Sequence, residues 1–573
     1  MNGCWLVFGS LIYFILAYFI YGKYLKKIFG IDPSRPCPSR TEYDGIDYVP
    51  TARPILFGHH FASIAGAGPI VGPVLAAKYG WGPAVMWIII GCVFIGAMHD
   101  FAAMFLSVRH KGRSIAYVIE DELGYVGRQL FLFFCLATLV LVVTVFTVMV
   151  AKSFVSSPEV ATASILFISI APIFGILVGK KILTLLEGSL IFVPLLFFCI
   201  WLGTIMPLDL AAIFGSETLA ANVWIIALLY YAFCASVIPV WILLQPRDYL
   251  NSYLLYAMML LGFAGIFVAK PVLQMHAFAI TGAEMIPGVF PLLFVTVACG
   301  ACSGFHALVA SGTSAKQINS EKDIFPISYG SMLVEGILAI LAICSVAYLG
   351  MDKYTILSKN TAAPMMFANG MGHFCESLHL PFAVGRNFIA LALSAFILTS
   401  LDTATRLARF VWQELMLPCK EEEAKEIKAA KEAVDSVEQE KLGSLAQASI
   451  SKFLGNRWIA TIIVIAFAAV LAFSGSGKHL WPIFGASNQL LAALTLLAVT
   501  LYLFRNKKPY LFAMLPMFFM FLISVWALIV LIIKQWGLHN KTLVTVSVLL
   551  LVLAAWLAVL AVKKIKILLH RKE

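Results

Sequence analysis

Residues 58–73 read GHHFASIAGAGPIVGP, inside an apolar run over 55–78 that is long enough to cross a bilayer. These sixteen residues hold two histidines, four glycines and two prolines. Glycine and proline weaken a helix, and Pro69 and Pro73 each lack the N–H that the ladder needs. In hydrocarbon, non-helical backbone is tolerated only where protein buries it or where it lines a wet cavity. The spacing predicts a helix broken near Gly66–Pro69, deep in the protein, whose freed N–H and C=O groups can hold an ion. The competing reading is a kinked helix that uses its small residues for close packing.

Residues 304–313, GFHALVASGT, repeat the pattern: Gly58, His60 and Gly66 match Gly304, His306 and Gly312 in spacing. The copies fall in the second and ninth apolar runs, seven apart, and an odd offset means opposite directions through the membrane. Paired broken helices in inverted halves are the sequence pointer to a transporter site.

Other ionisable residues inside apolar runs are costly and need a reason. His99 and Asp100 sit late in the third run, and the eleventh carries Ser394, Thr399, Ser400, Asp402, Thr403, Thr405, Arg406 and Arg409. Hydroxyls beside a carboxylate suit a cation or a proton relay; alternatively Asp402 neutralises Arg406 at i,i+4. Glu335 and Glu187 are further proton-carrier candidates, and Asn488 and Gln489 serve either as helix glue or as ligands. No GxxxxGK[ST], HExxH or GxSxG motif is present, so the chain reads as a non-enzyme. His59 and His60 point about 100° apart on a helix and do not share a metal. Cys299 and Cys302 form a lone CxxC within an apolar run, which reads as packing.

The composition agrees. The 573 residues are 61% hydrophobic and 12% charged, with mean hydropathy +0.92, half the charge of a soluble domain at roughly 25%. The net charge of +11 is not one patch and does not suit nucleic acid. It lies in alternate loops, at Lys23/Lys26/Lys27, Arg109/Lys111/Arg113, Lys180/Lys181, Arg247, Lys316/Lys322, 420–457, Arg505/Lys507/Lys508 and the C-terminal tail. By the positive-inside rule the N-terminus is outside and the C-terminus cytoplasmic, with an odd number of spans, about fifteen. The first run, 4–21, has its lysines after it and reads as a retained helix rather than a signal peptide.

The expected fold is an all-α polytopic membrane protein. Its divisions are 1–54, the first helix and a cytoplasmic loop; 55–314, the first half with added helices and the start of the second repeat; 315–419, the rest of that repeat; 420–457, a charged cytoplasmic helical insert; and 458–573, the C-terminal helices. Within 351–385, expected outside, residues 362–374 read either as a re-entrant half-helix or as an amphipathic surface loop. Residues 420–446 read as a solvated linker helix or a partner-binding one.

Five stretches, GHHFASIAGAGPIVGPVLAAKYG (58–80), MHDF (98–101) with RHKGRS (109–114), ACGACSGFHALVASGTSAKQI (298–318), LDTATRLARF (401–410) and LWPIFGASNQLLAAL (480–494), make the chain resemble the carbon starvation protein A (CstA) family. The resemblance implies uptake of pyruvate or peptides across the cell's inner membrane, driven by a cation gradient, with protons expected and no cofactor, in the response to carbon starvation. That family is similar to the amino acid–polyamine–cation transporters, whose LeuT-like inverted repeat contains broken helices. Seven runs rather than five separate the two copies here. Either two helices (222–244 and 251–270) are inserted, or the repeat is seven-plus-seven. On this reading His59, His60, Ser63, Gly66, Ala67, Gly68, His306, Ser311, Gly312 and Thr313 form the substrate site. Asp100, Thr399, Ser400, Asp402 and Thr403 serve ion or proton coupling. The rival functions are a gated channel and a membrane nutrient sensor.

Overall fold

The computed structural model describes residues 2–279, 289–416, 453–474 and 480–570, and these are helical nearly throughout. In chain order the helices used below are α1 (Gly3–Phe29), α2 (Arg53–Ile64), α3 (Gly68–Ala76), α4 (Ala97–Arg109), α5 (Ile115–Ser156), α6 (Leu185–Ile205), α7 (Glu217–Val237), α8 (Leu244–Ala269), α9 (Ala298–Ala301), α10 (Gly304–Gly312), α11 (Ser331–Ala347), α12 (Ala363–Glu376), α13 (Phe382–Leu415), α14 (Arg457–Phe473) and α15 (Leu480–Arg505).

Among the described residues thirteen helical runs are long and apolar enough to cross a membrane, against the fifteen expected. The other two expected spans are there in altered form. The run 458–474 is the 17-residue α14, and 290–314 is cut into Leu292–Thr296, α9 and α10. Glycines at 300, 304 and 312 and the proline at 291 leave no continuous helix there.

Both breaks are real, and they fall differently relative to the matched glycines. In the first, Ala65 leaves the helix and α3 restarts at Gly68 with Pro69 in its first turn, where the missing N–H costs nothing. In the second, Cys302 and Ser303 are extended, so the break precedes Gly304 instead of following Ser311. α2 runs toward its break and α10 runs away from its own. His60 and His306 therefore lie on the same membrane half, consistent with segments of opposite direction. The contact of His60 Nδ1 with Ser314 Oγ, 2.8 Å, ties the two together.

Loop contacts sort into two faces. On one, Asp32 N donates to Glu321 (2.8 Å), Arg40 to Asn319 (2.9 Å), Arg109 pairs with Glu321 (2.8 Å) and Lys508 donates to Phe29 O (3.1 Å). On the other, Gly3 N donates to Pro271 O (2.9 Å), Gly82 N to Ala277 O (2.8 Å) and Gln274 N to Ala347 O (3.1 Å). These are the alternating loops that the basic residues divide. The α2–α3 run is buried along nearly all of its apolar length, whereas α1, with Trp5, Phe19 and Ile20 exposed, is a lipid-facing helix.

One expectation changes and one open reading narrows. Glu187 is not a proton carrier within the sixth span: it is exposed at the start of α6, where it and Thr184 form a reciprocal cap. The segment 362–374 is α12, a 14-residue helix with Met366, Phe367 and Met371 buried, which favours the half-helix over the surface loop. The insert expected at 420–446 lies outside the described residues.

With the basic face cytoplasmic, a reporter that fluoresces only in the cytoplasm should be bright when fused after His570 and dark when fused after Gly215. The opposite pattern would invert the orientation.

Candidate functional site

The two broken segments carry two separate clusters of buried ionisable side chains. The first surrounds the second break. Asp100 on α4 takes His99 Nδ1 on one oxygen (2.8 Å) and His306 Nδ1 of α10 on the other (3.0 Å). The far nitrogen of His306 faces Glu335 Oε2 of α11 at 3.4 Å, and neither Glu335 oxygen has a hydrogen-bond partner. All four residues are buried. His306 is thus bracketed by two carboxylates from two other helices.

The break itself is capped by Asn488 of α15. Its Oδ1 accepts from Phe305 N (2.8 Å), and its amide donates to Ser303 Oγ (3.0 Å) and Cys299 Sγ (3.2 Å). Asn488 is the helix glue of the two readings, and the CxxC is packing: both cysteines are buried and free. Gln489 beside it makes no hydrogen bond with either amide atom.

The second cluster lies along α2, before the first break. His59 Nδ1 meets Asp248 Oδ2 at 2.6 Å. The other Asp248 oxygen accepts from Arg247 (Nε 3.2 Å, Nη2 2.8 Å), and Arg247 Nη1 also pairs with Asp402 of α13. The Tyr231 hydroxyl donates to Asp402 Oδ2 at 2.6 Å. Hydroxyls join the helices: Ser63 Oγ lies 3.2 Å from Thr403 Oγ1, Ser400 Oγ donates to Ser63 O (3.2 Å), and Asn251 donates to Thr399 Oγ1 (2.8 Å).

Asp402 therefore does not neutralise Arg406. Arg406 turns instead to Asp47 (2.8 Å) and to the carbonyls of Ala235 (2.8 Å) and Ile238, which terminate α7. A buried guanidinium needs several acceptors, and one carboxylate a turn away on the same helix supplies too few. Asp47 lies in the loop before α2. Burial pushes its carboxyl up, but Arg406 and then Arg409 outweigh that and hold it below the usual range.

The structure sets the glycines of the expected site against protein. A methyl on Gly66 would lie 2.1 Å from Ser400 Oγ, on Gly68 2.3 Å from Cys299 Cβ, and on Gly312 2.2 Å from Leu407 Cδ2. Ser311 and Thr313 return their hydroxyls to their own helix, to Ala307 O (2.6 Å) and Val309 O (3.2 Å). Ala67 is buried in the break. Sequence reasoning passed over Arg247, Asp248, Tyr231 and Asp47. Arg247 and Asp248 sit in a gap between two expected runs and read as loop charges; Pro246 in the first turn of α8 is the signal that the helix had begun. Among the described residues no group of three or more His, Cys, Asp or Glu could hold a metal ion.

A family model described as "Carbon starvation protein CstA" matches residues 2–363 and 347–527. A peptide transporter CstA of Campylobacter jejuni is 33% identical over 567 residues, covering 89% of this chain and 77% of that protein. The pyruvate/proton symporter BtsT of Escherichia coli is 31% identical over 92% of this chain and 81% of its own length. A peptide transporter CstA of Bacillus subtilis is 30% identical over 98% and 97%. Among solved structures, a manganese transporter of Eremococcus coleocola aligns over 91% of this chain and 99% of its own, at 11% identity and a TM-score of 0.48.

Asp100→Ala removes the shared acceptor of His99 and His306 and is expected to destabilise the protein by about 3–5 kcal/mol, read as a lower Tm in detergent. Glu335→Gln, at a carboxylate without a hydrogen bond, should cost much less; equal losses would make Glu335 as firm a partner as Asp100. Gly68→Ala should cost about 1–3 kcal/mol, and adding Cys299→Gly should restore most of it. Failure of that rescue would show that the Gly68 contact is not what the methyl violates.

Proposed function

Because the chain belongs to the carbon starvation protein CstA family, a family of transporters and not of enzymes, we propose that it is a secondary active transporter importing pyruvate or short peptides by proton symport. The observation that supports this reading is that each broken segment carries a buried histidine held by a carboxylate from another helix. Ionisable residues inside a membrane are expensive, and substrate paths and proton relays are where they occur. Relatives named as peptide transporters and as a pyruvate/proton symporter supply the two solute classes.

On this reading α2–α3 and α9–α10 are the paired broken helices of a LeuT-like inverted repeat in the inner membrane. His59, His60, Ser63, Gly66, Ala67 and Gly68 on one side and His306, Ser311, Gly312 and Thr313 on the other frame the substrate path. Glycines packed against Ser400, Cys299 and Leu407 make this an occluded arrangement, and helices must part there for a solute to pass. Asp100 and Asp402 carry the coupling proton, with Thr399, Ser400 and Thr403 beside the latter. The cellular setting we assign is uptake of a carbon source when carbon is scarce.

Purified protein in liposomes, offered labelled pyruvate and a dipeptide separately, should accumulate one of them above its outside level only when an inward proton gradient is imposed. Accumulation driven by sodium alone would move coupling to the hydroxyls of α13. Flux that equilibrates and never exceeds its gradient would make the protein a channel, and no flux of either solute would overturn the substrate assignment.

A further inference from the structure

Arg247 has a side-chain exposure of 1% and is shared between two carboxylates. The two are held differently. Asp248 is fixed from both sides, by Arg247 on Oδ1 and by His59 on Oδ2. Asp402 has Arg247 and the Tyr231 hydroxyl on Oδ2, while its Oδ1, fully buried, has no hydrogen-bond partner. A carboxylate oxygen left bare in a buried site is costly as an anion and is relieved when the group takes a proton.

A proton on Asp402 would cancel the charge that faces Arg247 Nη1. Arg247 would keep Asp248, and its Nη1 the neutral Tyr231 hydroxyl that accepts from it, but that end of its fork would be left in a buried site without an anion, which is also costly. A second carboxylate offered from the substrate repairs this in the geometry that a guanidinium prefers. From this geometry we infer that Arg247 is the anchor for the substrate's carboxylate, and that Asp402 holds the anchor shut until it takes up a proton. This inference rests on the transport reading above and deepens it.

The charges balance. Before the exchange Arg247 faces the Asp402 anion; after it, Arg247 faces the substrate anion and Asp402 is a neutral acid. One proton enters from the outside water with each carboxylate and both leave on the inner side; with pyruvate the buried site gains no net charge, and a dipeptide adds the charge of its own ammonium. Pyruvate and peptides each offer one carboxylate. The exchange is wired to the first break through Ser63, which meets Thr403 at 3.2 Å and whose carbonyl accepts from Ser400 at 3.2 Å. The charged and titratable groups around Asp402 are His59 of α2, Arg247 and Asp248 of α8 and Tyr231 of α7. Arg406 on its own helix is occupied by Asp47.

The test is counterflow exchange by full-length protein in liposomes, from weakly acid to neutral pH, using pyruvate, a dipeptide and the carboxamide of each. Wild-type protein should prefer the carboxylate to the carboxamide by about tenfold or more, the equivalent of roughly 1.4 kcal/mol. Asp402→Asn should exchange without dependence on pH and lose gradient-driven accumulation. Arg247→Lys should raise KM for the carboxylate and shrink the preference over the amide. Tyr231→Phe, which keeps every charge, removes a donor that favours the Asp402 anion, so its pH profile should move to higher pH; a purely structural tyrosine would not move it. This variant decides the matter if the charge variants fail to fold. An Asp402→Asn protein with the wild-type pH profile, or a Tyr231→Phe profile that stays in place, overturns the exchange alone. Wild-type protein that moves neither solute overturns the function proposed above and the exchange with it.

Discussion

Hydrocarbon offers no hydrogen bonds, so a helix that stops inside a membrane must find partners for its loose backbone within the protein. This constraint organises the structure. The second break is possible because Asn488 lends both ends of its amide to it, and Asn488 lies on α15, nearly two hundred residues later in the chain. The first break is braced by Ser400, whose hydroxyl reaches Ser63 O. Each brace comes from a helix that must then pass close by, and close passage demands glycine: Gly304 leaves 2.4 Å between an added methyl and Asn488 O, and Gly66 leaves 2.1 Å to Ser400 Oγ. The glycines at the breaks thus serve proximity as much as backbone freedom.

The same logic governs the charges. A lone ion in this interior would cost several kcal/mol, and most of the buried ionisable groups are set in chains. His99, Asp100, His306 and Glu335 form one, and His59, Asp248, Arg247 and Asp402 another. The first contains two imidazoles and two carboxylates with no arginine or lysine, so its net charge is set by protons. The second has one permanent cation between two carboxylates. The two chains therefore differ in charge composition, although each is attached to one of the broken segments.

Much of this was legible in the sequence. The apolar runs, the alternation of basic loops, the broken second span and the placing of His59, His60, Asp100, His306 and Asp402 inside the bundle all follow from composition and spacing. The partners were not legible, because pairing across the bundle depends on which helices meet. Arg247 and Asp248 look like loop charges until α8 is seen to begin at Leu244. Glu187 looks intramembrane until its helix is seen to start two residues earlier. Position at a helix end decides whether a charge is a cap or a site, and helix ends are where apolar periodicity gives out.

The second break shows how a correct motif can mislead in detail. Matching Gly66 with Gly312 places both breaks just after the histidine, because matching compares sequences in the same direction. The segments run in opposite directions through the membrane, so equivalent depth is reached from opposite ends of the motif. α10 breaks before its histidine, at Cys302–Ser303, and α2 after its own, at Ala65. His60 and His306 consequently share one membrane half, joined through the contact of His60 with Ser314 at 2.8 Å. Between segments of opposite direction, a break after the histidine in both would have separated them by the membrane's midplane; a break before the histidine in α10 brings the two histidine-bearing half-helices to one side.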